Sequence, residues 1–289
     1  MLVSLIIVFR EALEAGLVVG IILAATQGVA GRGRWIAGGV VAGAAGASLV
    51  AVFAAALSDA LQGSGQEVFT ASILLFAVAM LTWHVAWMSH HGKQMAADLR
   101  QVGDAVRLGQ KSLAALASVV AVAVMREGSE VVLFLFGIAA GSQTSQLSML
   151  IGGICGLAAA AAVSWVLYRG LLIIPLKSLF AVTNVLIALL AAGMAATAVG
   201  VLQGADMLPW WNEQLWNSGW LLDDGGMAGR TLHALVGYTA TPTGLQLVAW
   251  AATLVMMWAL TRIAGRNQPA RMLSAVTDNG SLGASAHPR

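Results

Sequence analysis

The sequence predicts an all-α integral membrane protein: seven transmembrane helices, built as an inverted 3+3 repeat plus a seventh helix. Three observations carry this. Hydrophobic residues make up 59% of the 289 and charged residues only 10%, against about a quarter charged in an ordinary soluble domain. The few charges fall between apolar runs of about the 20 residues that a helix needs to cross a bilayer. A charged motif occurs twice, each time inside an apolar run. Mean hydropathy is +0.83. The short alternating segments of a membrane β-barrel are missing from the sequence, and a helix is the remaining form that satisfies its own backbone in lipid.

The spans are expected near residues 1–25, 35–57, 68–89, 113–140, 147–168, 178–202 and 244–263. The first lacks a basic leader and carries Arg10, Glu11 and Glu14 inside its apolar stretch, so it reads as a retained helix rather than a signal peptide. Residues 1–89 form the first three-helix repeat and 90–112 a polar, helical cytoplasmic loop. Residues 113–202 form the second, inverted repeat. Residues 203–243 form an extracytoplasmic interfacial segment carrying Trp210, Trp211, Trp216 and Trp220, a residue type that prefers the membrane–water boundary. The seventh helix occupies 244–263, and 264–289 is a polar cytoplasmic tail.

Orientation follows from the basic residues, which concentrate in cytoplasmic loops. With the N-terminus outside and the C-terminus inside, Arg32, Arg34, Lys93, Arg100, Arg107, Lys111, Arg169, Lys177, Arg262, Arg266, Arg271 and Arg289 face the cytoplasm. Arg230 alone faces outward, and Arg10 and Arg126 are intramembrane. Asp59, Glu67, Asp206, Glu213, Asp223 and Asp224 collect on the outer side. An acidic mouth raises the local cation concentration, and plain solvation of loops accounts for it equally well.

The run Phe9-Arg10-Glu11-Ala12-Leu13-Glu14 recurs as Met125-Arg126-Glu127-Gly128-Ser129-Glu130, and the spans that follow open on Gly38-Gly39 and Gly152-Gly153. Each motif is followed by two further spans. Three spans is an odd number, so the second unit is inverted, the plan of many secondary transporters with a midplane site. Gly43, Gly46 and Ala47 on the second span read as a close helix contact.

On a helix Glu11 and Glu14 share a face, as do Glu127 and Glu130, while Arg10 reaches Glu14 and Arg126 reaches Glu130 at i+4. Each ionisable group at the bilayer centre costs on the order of 2.5–3.5 kcal/mol. Four glutamates against two arginines leave −2, which calls for a bound cation or for protonated carboxylates. Carboxylates are hard ligands suited to hard cations such as Fe³⁺. Cys155 is the only cysteine, so a thiolate cluster and an intrachain disulfide are both excluded. An intramembrane metalloprotease or di-iron oxidase would want His-Glu-x-x-His or Glu-x-x-His, and neither occurs. His84, His90 and His91 are placed at the inner end of the third span, where a histidine ordinarily meets water, although they stand where an exiting metal would pass. Asn184 is an isolated polar group in the sixth span, open to a helix–helix hydrogen bond or to a path-lining role.

The paired Arg-Glu-x-x-Glu helices resemble the high-affinity iron permease family, which includes fungal plasma-membrane and bacterial EfeU-type permeases. The resemblance extends to Leu189-Leu190-Ala191-Ala192-Gly193-Met194, to Leu202-Gln203 and Pro209, and to Gly229, Gly237-Tyr238 and Pro242. It implies a permease rather than an enzyme, importing iron across the cytoplasmic (inner) membrane, with Fe³⁺ the expected form. It implies Glu11, Glu14, Glu127 and Glu130 as iron ligands, with Arg10 and Arg126 as counter-ions. No cofactor is expected beyond the iron that is carried. The implied partners are iron, membrane lipid and a separate extracytoplasmic iron-binding protein or oxidase, with no nucleic acid. The alternatives are a permease for lead or another divalent metal, or a membrane-embedded metal-dependent enzyme.

Overall fold

The structure, a computed structural model, describes residues 1–60, 66–141, 145–170, 176–224 and 226–266. Eight helices account for nearly all of them: α1 Leu2–Ala25, α2 Arg32–Ala60, α3 Gln66–Arg107, α4 Leu113–Gly141, α5 Gln146–Tyr168, α6 Leu176–Gly204, α7 Met227–Val236 and α8 Gly244–Arg266. There is no strand among the described residues, only an isolated bridge between Gln214 and Thr243. The expected tail from 267 onward lies outside them. So do the side chains of Lys93, Lys177, Arg230, Arg266, Arg271 and Arg289 among the basic residues counted for orientation, and those of His90 and His91.

Among the described residues, five helical stretches are long and apolar enough to cross a membrane: Arg32–Ala56, Glu67–Met88, Gln146–Tyr168, Ala181–Gly204 and Gly244–Ile263. α1 and α4 have the length, at 24 and 29 residues, and differ by carrying the two charged motifs. Polar residues within the helices bond backward to their own backbone. Thr82 Oγ1 donates to the Val78 carbonyl at 2.7 Å and Thr253 Oγ1 to that of Ala249 at 2.8 Å. A hydroxyl satisfied in this way is tolerated in lipid.

The helices pack in a crossed pattern. α2 lies mainly against α4 and α5 mainly against α1, while α3 lies against α6. Glycines make the first two contacts possible. A Cβ on Gly43 would fall 2.6 Å from the Ala121 carbonyl oxygen, and one on Gly39 would fall 2.6 Å from that of Ala117. A Cβ on Gly156 would fall 2.5 Å from the Leu5 carbonyl oxygen. Gly39, Gly43 and the buried Ala47 thus line one contact, with Gly152, Gly156 and the buried Ala160 lining the other. Small residues at this spacing let two helix backbones approach closely.

Two apolar clusters sit at different levels. Val3 and Ile7 of α1 pack with Leu74 and Leu81 of α3, Phe134 and Ile138 of α4, and Leu190 and Met194 of α6. Val18 and Ile22 of α1 pack with Leu99 and Val106 of α3, and with Leu116 and Val120 of α4. Hence α1 and α3 run in the same direction and α4 runs against them. The expected helical loop after residue 89 is a direct continuation of α3, a helix of 42 residues and about 63 Å at 1.5 Å per residue. That exceeds the hydrocarbon thickness of about 30 Å.

Residues 203–243 fold back onto the ends of α6 and α8. Thr243 Oγ1 donates to Gln203 Oε1 at 2.7 Å, Trp250 Nε1 donates to the Val236 carbonyl at 2.7 Å, and Asp224 accepts from the Ala240 amide at 3.0 Å. α7 ends at Gly237, whose φ of 75° is the left-handed conformation that glycine adopts without strain. Gly237 also lies directly on Gly193 of α6, where a Cβ on Gly193 would fall 2.6 Å from the Gly237 nitrogen. Trp210, Trp211, Trp216 and Trp220 are all exposed.

Candidate metal centre

Between the two apolar clusters lies a charged layer. Arg10, Glu11 and Glu14 come from the middle of α1, and Glu127 and Glu130 from the middle of α4. All five are buried, Glu11 completely so. The antiparallel course of α1 and α4 brings the two motifs to one level, as the repeated spacing predicts.

The two copies are not equivalent. In the first, Arg10 spans both glutamates, with Nη1 donating to Glu11 Oε1 at 2.6 Å and Nη2 lying 2.9 Å from Glu14 Oε1. The i,i+4 pair was expected from spacing, whereas the contact with the adjacent Glu11 was not. In the second, Arg126 Nε reaches Glu130 Oε1 at 3.2 Å. Its guanidinium also stacks on the ring of Trp87 in α3, 4.4 Å from the centroid. The Arg126 side chain is 34% exposed, against 2% for Arg10. Glu127 has no ion pair among the described residues.

One further residue stands in the layer that sequence reasoning set aside. His84 was expected to meet water at the inner end of the third span, and the structure corrects this, because the residue is 1% exposed and faces both motifs. Its Nε2 lies 3.4 Å from Glu14 Oε2 and 3.9 Å from Glu11 Oε2, and its Nδ1 is in contact with Glu130 Oε2. The physical reason is the length of α3. The helix does not end near residue 89, so residue 84 is an interior position rather than a terminal one. The available signal was the residue type, since an ionisable side chain within an apolar span is functional by default. Its neighbours His90 and His91 drew it into a group at the membrane edge. Asn184, half-buried on α6, is not part of the layer.

Ligand atoms of Glu11, His84, Glu127 and Glu130 all lie within 4.8 Å of one another. Oε2 of Glu11 and Glu127 and Nε of Arg10 are buried without a hydrogen-bond partner among the described residues, and Oε2 of Glu14 and of Glu130 faces His84. Leaving a buried polar atom unpaired costs about 1–3 kcal/mol, more for a charged one. Gathered at one point, these oxygens and nitrogens are a group that could hold a cation.

The model of the iron permease FTR1 family matches residues 1–266 of the chain. Among curated proteins the chain is 31% identical over 262 residues to the "Ferrous iron permease EfeU" of Escherichia coli O6:H1 strain CFT073, covering 88% of this chain and 93% of that protein. It is 32% identical over 250 residues to the protein of the same name from Yersinia pestis, covering 84% and 86%. No solved structure matches it. With the family model spanning both charged motifs and all eight helices, the chain belongs to the iron permease FTR1 family, a family of transporters rather than enzymes.

Proposed function

We propose that the chain imports iron across the cytoplasmic (inner) membrane, holding the ion in transit in the layer of Glu11, Glu14, Glu127 and Glu130. The observation that carries this is the cluster of four buried glutamates, of which Glu11 and Glu127 keep an Oε2 without a hydrogen-bond partner among the described residues. Four carboxylates and the two arginines leave the layer at −2, a charge that one divalent cation cancels. A trivalent ion would leave a buried +1, which is costly in low dielectric. Four carboxylates by themselves suited Fe³⁺. The charge balance and the ferrous iron permeases among the relatives favour Fe²⁺ as the ion that occupies the layer.

Seven helices cross the membrane on this reading, α1 and α4 joining the five apolar ones. In support, the charges of α1 face the protein interior, and four of the six motif charges in α1 and α4 belong to mutually opposed buried glutamates. The inverted repeat is supported by the crossed packing of α2 on α4 and α5 on α1 through equivalent glycines. The N-terminus is outside, as the basic residues imply, and a separate extracytoplasmic iron-binding protein or oxidase delivers the iron.

Uptake of radiolabelled iron in cells lacking other importers tests the proposal. With ascorbate present, Fe²⁺ is taken up and an impermeant ferrous chelator abolishes uptake. Uptake of ferric citrate that persists under the chelator would assign Fe³⁺ instead. Preferential block by a modest excess of Pb²⁺ would favour the lead-permease alternative.

A further inference from the structure

We propose that His84 is an iron ligand, and that its imidazole gives the site its preference for Fe²⁺ over harder divalent cations. This rests on the glutamate layer being where iron is held.

The position is the first reason. His84 is supplied by α3, which belongs to neither motif, yet it lies between them. Nε2 faces Glu14 and Glu11 of the first copy, and Nδ1 faces Glu130 of the second. One of its nitrogens falls within the 4.8 Å group that also contains Glu11, Glu127 and Glu130. Packing alone gives no reason for an imidazole here. The neighbouring buried residues of α3, Leu81 and Val85, are apolar, and Thr82 bonds to its own backbone.

The chemistry is the second reason. Both ring nitrogens face carboxylates, Nε2 that of Glu14 and Nδ1 that of Glu130, and a metal-bound histidine needs one nitrogen for the metal while it donates the other N–H to a carboxylate or carbonyl. With carboxylates on both sides, either tautomer meets that demand. An oxygen-only set suits Mg²⁺, Ca²⁺ and Mn²⁺, whereas imidazole suits Fe, Ni, Cu and Zn. A neutral imidazole leaves the layer at −2, matched to a divalent ion. The competing role is an imidazolium that merely offsets the glutamates, and an imidazolium has no lone pair to offer a metal.

The test separates these roles. Purified protein is labelled with ¹⁵N-histidine, loaded with Mn²⁺ as a spin-bearing stand-in, and studied by pulsed electron–nuclear double resonance. A variant carrying His90→Gln, His91→Gln, His233→Gln and His287→Gln keeps His84 as its sole histidine. We expect a directly bonded ¹⁵N coupling in the parent and in this variant, and its loss in His84→Gln. We further expect His84→Gln to lower the preference for Fe²⁺ over Mn²⁺ in competitive uptake by on the order of 10–100-fold, the scale seen when support to a metal ligand is removed. Bound Mn²⁺ with no ¹⁵N coupling in the sole-histidine variant would overturn the assignment, as would an unchanged preference in His84→Gln. Should Mn²⁺ bind equally well when all four glutamates are glutamine, the layer itself is not the site, a failure distinct from that of His84. The sole-histidine measurement leaves His84 in place, so the test stands even if His84→Gln fails to fold.

Discussion

The two motif arginines should behave differently when replaced, although the sequence presents them as equivalents. Arg10 is 1% exposed and holds two carboxylates, at 2.6 and 2.9 Å. Replacing it with glutamine removes the positive partner and leaves Glu11 and Glu14 buried with no cation beside them. Breaking a buried pair in this way costs about 3–5 kcal/mol. Arg126 holds one carboxylate at 3.2 Å and stacks on Trp87, with a third of its side chain exposed. With Glu130 buried but the arginine end open to solvent, the pair falls below a fully buried one and toward the about 0.2–1 kcal/mol of exposed pairs, and an exposed cation–π contact adds about 0.5–1 kcal/mol. Arg10→Gln should therefore destabilise by about 1 kcal/mol or more beyond Arg126→Gln on these scales. Thermal unfolding of both variants in the same lipid nanodiscs measures the difference. Arg10→Lys should recover only part of the loss, because one ammonium cannot copy the planar fork that spans two carboxylates. Equal melting shifts for Arg10→Gln and Arg126→Gln would refute the reasoning, since they would mean that burial and the second carboxylate add nothing.

Three shorter predictions follow from the same structure. Glu127 has no ion pair among the described residues to lose, so Glu127→Gln should abolish iron uptake while leaving the melting temperature unchanged or raised; Glu11→Gln, which strips a carboxylate from Arg10, should lower both. Gly43→Ala should destabilise by about 1–3 kcal/mol or more, the range for overpacking, because its Cβ meets the Ala121 backbone at 2.6 Å, whereas Gly38→Ala meets nothing within 4 Å and should be silent in the same melt. A reporter inserted at Ser218 should read as extracytoplasmic and one fused after Arg266 as cytoplasmic, and swapped signals would defeat the proposed orientation.

Much of the fold was legible because bilayer thickness and helix rise leave few choices. The helices at 2–25, 113–141 and 146–168 begin and end within a residue or two of the expected spans. The charged layer was legible for the same reason, since groups that expensive in lipid declare themselves, and the i,i+4 pairs formed as spacing required. Gly43 and Ala47 were read as a close contact, and α4 is the partner they meet. What escaped was whatever depends on tertiary position. Nothing local distinguishes Arg10 from Arg126. Their difference arises because Trp87 of α3 covers one, while the other is enclosed between α1's own two glutamates. His84 escaped because a hydropathy run ends where apolar residues stop, whereas the helix goes on to Arg107. The fold of 203–243 was illegible too, because it depends on pairings such as Gly237 on Gly193 that no periodicity encodes.

The placement of the charged layer constrains how transport proceeds. Above it, Ile7, Leu81 and Phe134 are almost completely buried, and below it so are Ile22, Leu116 and Val120. A hydrated ion cannot pass either layer without being stripped of water that apolar side chains do not replace. An ion that reaches or leaves the charged layer along the helix axes has to pass one of these apolar layers. α1, α3 and α4 each run through both apolar layers and the charged layer between them. Of these, α3 has its long arm beyond Met88, and Leu99 and Val106 on that arm complete the lower apolar layer. His84 and the lower closure thus lie on one continuous helix, where a tilt of α3 would shift both together.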